Sequence, residues 1–198
     1  KPIAFGHDVR TGMVAEMREG AARGFKNAIF IPIGTGIAAA LVIDGEIRSS
    51  DGFAGEIGHM NVGHERKCVC GKIGCLEAIS SAWSIGEHFR ELTGKTNTSE
   101  EIVRLAMAGD KSAAKVWNDA LHFLAVACEM LITTLSPEVI VFGGGVSVAG
   151  DELINPIKFE LSNRLTFQRM PELRIAHFGT QAGTVGCAML AFDAAATQ

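Results

Sequence analysis

The chain has 198 residues, 47% hydrophobic and 20% charged, with 18 Lys plus Arg against 22 Asp plus Glu and a formal charge of −4. That length suits one domain with a real core, and the weak negative charge excludes a generic binder of nucleic acid or anionic membrane, which needs a basic patch. Gly is frequent at 23, Pro scarce at 5 and Tyr absent, so demanding turns are expected, while Pro-rich linkers and a Tyr-rich stacking surface are not.

Residues 1–5 read as the end of a short strand, stopped by Gly6. From Asp8, the residues Val9, Met13, Val14 and Met17 recur with a helical period that Gly20 or Gly24 ends. Residues 28–33 form a β-branched run that enters Gly34-Thr35-Gly36. Strands are expected over 38–43 and 46–48, joined by Asp44-Gly45, a two-residue hairpin signal. Residues 49–72 read as loop, and helices resume over 76–92. Thr98 and Glu101 form a capping box for a helix through Ala108, and Asp110 caps a long helix reaching Leu135. Residues 139–142 are a buried-type strand entering Gly143-Gly144-Gly145. Residues 151–165 read as a helix with a break or kink near Asn155, because Pro156 lies inside it. A strand over 173–178 and a closing helix over 181–195 complete an α/β layer architecture.

Five Cys is an odd number, and three of them crowd into one loop, unlike a secreted disulfide scaffold. The first residues lack a charged segment followed by an apolar one. No uninterrupted apolar run reaches the roughly 18 residues needed to span a bilayer; the longest candidate, 120–135, is broken by His122 and Glu129. These features read together as a reduced, soluble, cytoplasmic protein with no membrane partner. Cys128 and Cys187 lie in apolar helical contexts and read as core residues.

Cys68, Cys70 and Cys75 place three thiolates in a tight loop that Gly71 and Gly74 allow to fold back on itself, supplying three ligands of a tetrahedral zinc. His59, His64 and His7 are all available as the fourth, and spacing does not choose among them. A filled four-ligand site is structural, because no position stays open for water. Gly34-Thr35-Gly36 and Gly143-Gly144-Gly145 each follow a strand, where backbone N–H groups either cradle a phosphate or simply make a tight turn. Two such turns on parallel-type strands favour a nucleotide, since ligands gather at strand carboxyl ends. Neither turn matches the P-loop or dinucleotide spacing. Asp8 is either a helix N-cap, worth about 1 kcal/mol, or a general base at the mouth of a cleft. Glu56 and Glu77 flank the cysteine loop, and ionised carboxylates suit the hydroxyl donors of a polyhydroxylated ligand.

The series GHDV (6–9), IGTGI (33–37), GEIGH (55–59), CVCGKIGCLE (68–77) and FGGGVS (142–147) resembles, in order and spacing, the ROK family of sugar kinases and transcriptional repressors. The resemblance implies an actin-like ATPase, ribonuclease H-like fold, a lobe with a mixed sheet flanked by helices and a zinc-binding loop. It implies ATP-dependent phosphorylation, with Mg, of a hexose 6-hydroxyl, glucokinase being the first reading. N-acetylmannosamine or N-acetylglucosamine kinase is the alternative within the class, and a sugar-responsive repressor the alternative outside it. Asp8 matches the catalytic base and also touches substrate. Glu56, His59 and Glu77 match residues that bind ring hydroxyls. His59, Cys68, Cys70 and Cys75 match the structural zinc set, Gly34, Thr35 and Gly36 the second phosphate loop, and Gly143, Gly144 and Gly145 the nucleotide side. Members associate as homo-oligomers, dimers or tetramers, and no nucleic-acid contact is expected from this chain. Three departures stand out. His7 replaces the family's Asn and is expected at the substrate. Ala38, Ala39 and Ala40 replace glycines. The first phosphate loop, an Asp-x-Gly-Gly-Thr pattern, has no counterpart in residues 1–198, which therefore read as the larger, C-terminal lobe of a kinase.

Overall fold

The computed structural model describes residues 6–196, so the strand expected over 1–5 lies outside the described residues. Five strands form one mixed sheet: β1 (Ala28–Pro32), β2 (Ala40–Ile43), β3 (Glu46–Arg48), β4 (Val139–Gly143) and β5 (Glu172–Ile175), in the order β3-β2-β1-β4-β5. β1 to β3 are an antiparallel meander, while β4 runs parallel to both β1 and β5. Asp44 and Gly45 take φ of 55° and 83°, the left-handed pair that a two-residue hairpin requires.

Strand residues alternate between two cores. Ile29, Ile31, Ile140 and Phe142 face helices α2 (Glu77–Ser80), α3 (Ala82–Thr93), α4 (Ser99–Met107), α5 (Lys111–Leu135) and α6 (Asp151–Arg164). Ala28, Phe30, Val139 and Val141 face α1 (Asp8–Glu19) and α7 (Ala182–Ala196). Buried on both faces, β1 and β4 therefore read as continuous apolar runs. Among the described residues α5 is the one helix long and apolar enough to cross a membrane, and more than half of its most apolar stretch is buried in this core.

The helices expected over 76–92 are two, α2 and α3, and two other expected elements are corrected. Ser81 is extended and caps α3 by accepting the Ser84 N–H, while Ala82 N donates to Gly34 O and the Ala78 carbonyl is taken by Arg66 Nε. The expected break near Asn155 is absent. α6 runs through Pro156, held by buried Leu153, Ile157 and Leu161, and the carbonyl that proline orphans belongs to exposed Glu152. β5 ends at Ile175 rather than 178. His177 and Phe178 turn away because their N–H groups donate to the carboxylate of fully buried Glu16, which also accepts Ala21 N. Three charge-assisted bonds offset the cost of burying that group.

Cys128 is fully buried, as expected, but Cys187 is exposed. Only Ala182 and Gly186 of α7 are buried, because this helix lies so close to α1 that small residues make the contact. A Cβ on Gly186 would sit 1.7 Å from the Thr11 carbonyl oxygen. At the other end of the sheet, Lys26 N and Asn27 N both donate to Glu138, which holds its carboxyl below the usual carboxylate range.

Gly186→Ala should cost about 1–3 kcal/mol in urea unfolding, by forcing α7 off α1. The stability Glu138 contributes is complete above its unfolded pKa and drains away as pH falls through its lower folded value. Between about pH 5 and pH 3 the unfolding midpoint should therefore fall more steeply for wild type than for Glu138→Gln.

Candidate functional site

β1 and β4 end side by side, and both glycine turns leave from those ends. Ile33 N donates to Gly143 O and Val146 N to Ile33 O, so the two turns are laced together. Gly144, at φ 73°, rests on the Ile33 backbone, and a Cβ there would lie 2.5 Å from the Ile33 oxygen. No other residue type fits this position. A cavity of about 430 Å³ opens in front of the turns and is lined by His7, Asp8, Gly34, Thr35, Gly36, Glu56, Glu77 and Gly144. Of the expected ligand-binding residues, His59, Gly143 and Gly145 do not line it. Gly143 ends β4 against the Phe30 ring, and Gly145 borders a separate cavity beside α4.

Asp8 is the first residue of α1 and not its cap; the cap position is His7, whose side chain makes no capping bond. Asp8 Oδ1 accepts Val9 N at 2.9 Å and lies 3.2 Å from His7 Nδ1, yet the side chain is 86% exposed to the cleft. The helix N-terminus favours its negative charge. Glu77 Oε2 accepts Ile37 N at 2.9 Å. Within the Gly34–Ile37 turn, Gly34 N is taken by Gly36 O and Ile37 N by Glu77, which leaves the N–H groups of Thr35 and Gly36 and the Thr35 hydroxyl as donors for a ligand.

Behind Glu77 lie His59, Cys68, Cys70 and Cys75, whose ligand atoms all fall within 4.8 Å of one another. His59 Nδ1 is 3.8 Å from Cys68 Sγ, and Cys70 Sγ is 3.6 Å from Cys75 Sγ. A tetrahedral zinc with bonds of about 2.3 Å to sulfur and 2.0–2.1 Å to nitrogen separates its ligands by about 3.5–3.8 Å, so the donor set fits such an ion. The Lys72 backbone N–H holds the Cys70 thiol below its ordinary value, while burial pushes Cys75 up to about 12. A metal held there takes its cysteines as thiolates. His64 is no part of this set. It is buried, with Nε2 against Cys75 O at 2.9 Å and Nδ1 accepting Arg66 N, and it braces the loop. Arg66 fastens the same loop to α3 through two bonds to Glu91.

A sequence profile described as the ROK family matches residues 1–194. This chain belongs to the ROK family. It is 36% identical over 206 aligned positions to a glucokinase of Halalkalibacterium halodurans, an alignment covering 93% of this chain and 62% of that protein. The crystal structure of a ROK hexokinase from Thermus thermophilus superposes with a TM-score of 0.86 at 26% identity, over 100% of this chain and 67% of that one. A ROK glucokinase from Streptomyces griseus, solved with glucose and AMPPNP, gives 0.85 at 25% identity, over 96% and 68%. The chain thus spans about 62% of the length of the glucokinase it matches, and its sheet and helices share the actin-like fold of the ROK sugar kinases.

Sequence reasoning missed the other half of this ROK cleft. A second cavity of about 520 Å³ opens on the far side of Asp8 and Gly144, against Thr11 and the turn Gly179-Thr180. The available signal was a glycine following β5, the third parallel strand, just as glycines follow β1 and β4.

Metal analysis of the purified chain should find about one zinc per chain, and Cys70→Ser should lower that content and the melting temperature together. A zinc-free chain from zinc-replete medium removes the assignment.

Proposed function

We propose that residues 1–198 are the larger, C-terminal lobe of an ATP-dependent hexose kinase, a glucokinase in the first instance. The observation that carries this reading is the one cavity in which exposed Asp8, at a helix N-terminus, faces Glu56, Glu77 and the Thr35 turn. Carboxylates that accept from ring hydroxyls hold the sugar. Asp8 takes the proton of the 6-hydroxyl as that oxygen bonds to the γ-phosphorus of ATP and the bond to the ADP oxygen breaks. A base is needed for transfer and not for sensing, so Asp8 favours a kinase over a sugar-responsive repressor.

Glu56 and Glu77 bind ring hydroxyls, with His59 beside them. His7 stands next to the base, where its imidazole donates or accepts toward the sugar. Thr35 and Gly36, with the Gly34 turn that shapes them, face the phosphates of ATP with Mg, and Gly144, positioned by the turn from Gly143 to Gly145, lies on the nucleotide side. Zinc on His59, Cys68, Cys70 and Cys75 is structural: bound, it cross-links the loop that carries Glu77 in its register. The partner lobe supplies the first phosphate loop. The assembled enzyme is a cytoplasmic homo-oligomer, a dimer or tetramer.

The test is a coupled assay, in the complete polypeptide that carries this lobe, with ATP against glucose, N-acetylmannosamine and N-acetylglucosamine. Turnover with glucose is expected, a preference for either amino sugar replaces the first reading with its alternative, and turnover of none together with specific DNA binding establishes the repressor. Asp8→Asn should lower turnover by about 10²–10⁴ while calorimetry finds sugar affinity within a few-fold of wild type. Survival of turnover removes Asp8 as the base.

A further inference from the structure

Beyond Glu77 the cleft continues into a second compartment of about 300 Å³, at the small end of ligand pockets. It shares Thr35, Gly36 and Glu77 with the cavity that holds Asp8. Gly36 leaves the passage open, since a Cβ there would meet Glu77 Oε2 at 2.5 Å. Trp83 lines it and is 53% exposed, although most large side chains of this core are buried. Lys67, on the cysteine loop, lines it as well.

The position of Trp83 is set against the cleft. Ala82 N donates to Gly34 O, Ser84 Oγ donates to Glu77 O at 2.6 Å, and Ser81 Oγ donates to Ser84 Oγ. The first turn of α3, which carries the indole, is thus bonded on either side of Trp83 to the glycine turn and to the start of α2. Three chemical facts narrow the occupant. An indole face packs against flat apolar C–H surface. Glu77, the carboxylate shared with the main cavity, accepts from hydroxyl donors. Lys67 supplies a donor for ring oxygens. A saccharide ring answers all three.

We propose that this compartment is a subsite for a second sugar ring, carried on the anomeric oxygen of the hexose, with Trp83 as its stacking platform and specificity-determining residue. The proposal rests on the reading of the main cavity as the hexose site. Asp8 and Glu77 line one cavity, and Glu77 and Trp83 the next, so a hexose with its 6-hydroxyl at Asp8 and its remote end at Glu77 would present its anomeric oxygen to this compartment. The hexose then serves both as free sugar and as the non-reducing unit of a disaccharide.

Calorimetric titration of the complete polypeptide with glucose, maltose and cellobiose, for wild type, Trp83→Ala and Trp83→Phe, tests it. At least one disaccharide is expected to bind wild type. Trp83→Ala should raise the ratio of its Kd to that of glucose by about 10-fold, and Trp83→Phe should restore most of the difference. Trp83 is the exposed one of two tryptophans, Trp117 being buried, so the same disaccharide should also shift the intrinsic fluorescence of wild type. Binding of glucose with no binding of either disaccharide, or an unchanged Kd ratio in Trp83→Ala, overturns the subsite and leaves the hexose site standing. Binding of no sugar at all overturns both.

Discussion

The bond from Ile37 N to Glu77 Oε2, 2.9 Å long, joins the glycine turn after β1 to the start of α2. Ile37 closes the glycine turn that follows β1, and Glu77 opens α2 two residues after Cys75. The carboxylate therefore holds the phosphate-facing turn to the cysteine loop. It also presses on Gly36 and Gly58, where an added Cβ would fall 2.5 Å and 3.3 Å from its oxygen. The loop on its other side is itself fastened, by His64 to Cys75 and by Arg66 to α3. Movement of any one of these parts moves the carboxylate, and with it the wall that both cavities share.

A second carboxylate, this one fully buried, does the same work behind the cleft. Glu16 sits at the end of α1 and accepts N–H groups from Ala21, His177 and Phe178. It thereby fixes the connection from β5 into α7, and α7 in turn lies against α1 through Gly186. Asp8 stands at the other end of α1. The orientation of the proposed base thus depends on a helix held at one end by hydrogen bonds to a carboxylate and along its length by a contact that tolerates no side chain.

Much of the fold is legible in the order of residues. The apolar runs of β1 and β4, the Asp44-Gly45 hairpin, the Thr98–Glu101 capping box and the Asp110 cap are local signals, and each appears in the structure where the local pattern puts it. The misplaced boundaries share one cause. Ala82 and His177 have backbone N–H groups that find partners far along the chain, and a pattern of neighbours cannot register those partners. Pro156 is the converse case, a local rule overruled because the buried face of α6 outweighs one lost hydrogen bond.

The candidate site divides in the same way. Residue types and spacing alone marked Asp8, Glu56, Glu77, the two glycine turns and three cysteines as chemically capable, because carboxylates, thiolates and glycine carry their chemistry wherever they sit. They left His59, His64 and His7 equivalent as a fourth ligand. The tertiary structure separates the three: one ring faces the sulfurs, one is buried as a brace, and one stands beside Asp8. It alone also brings Trp83 and Lys67 to a compartment next to Glu77. Which group meets which is fixed by long-range backbone bonds and by packing between helices, and those depend on the whole chain closing on itself.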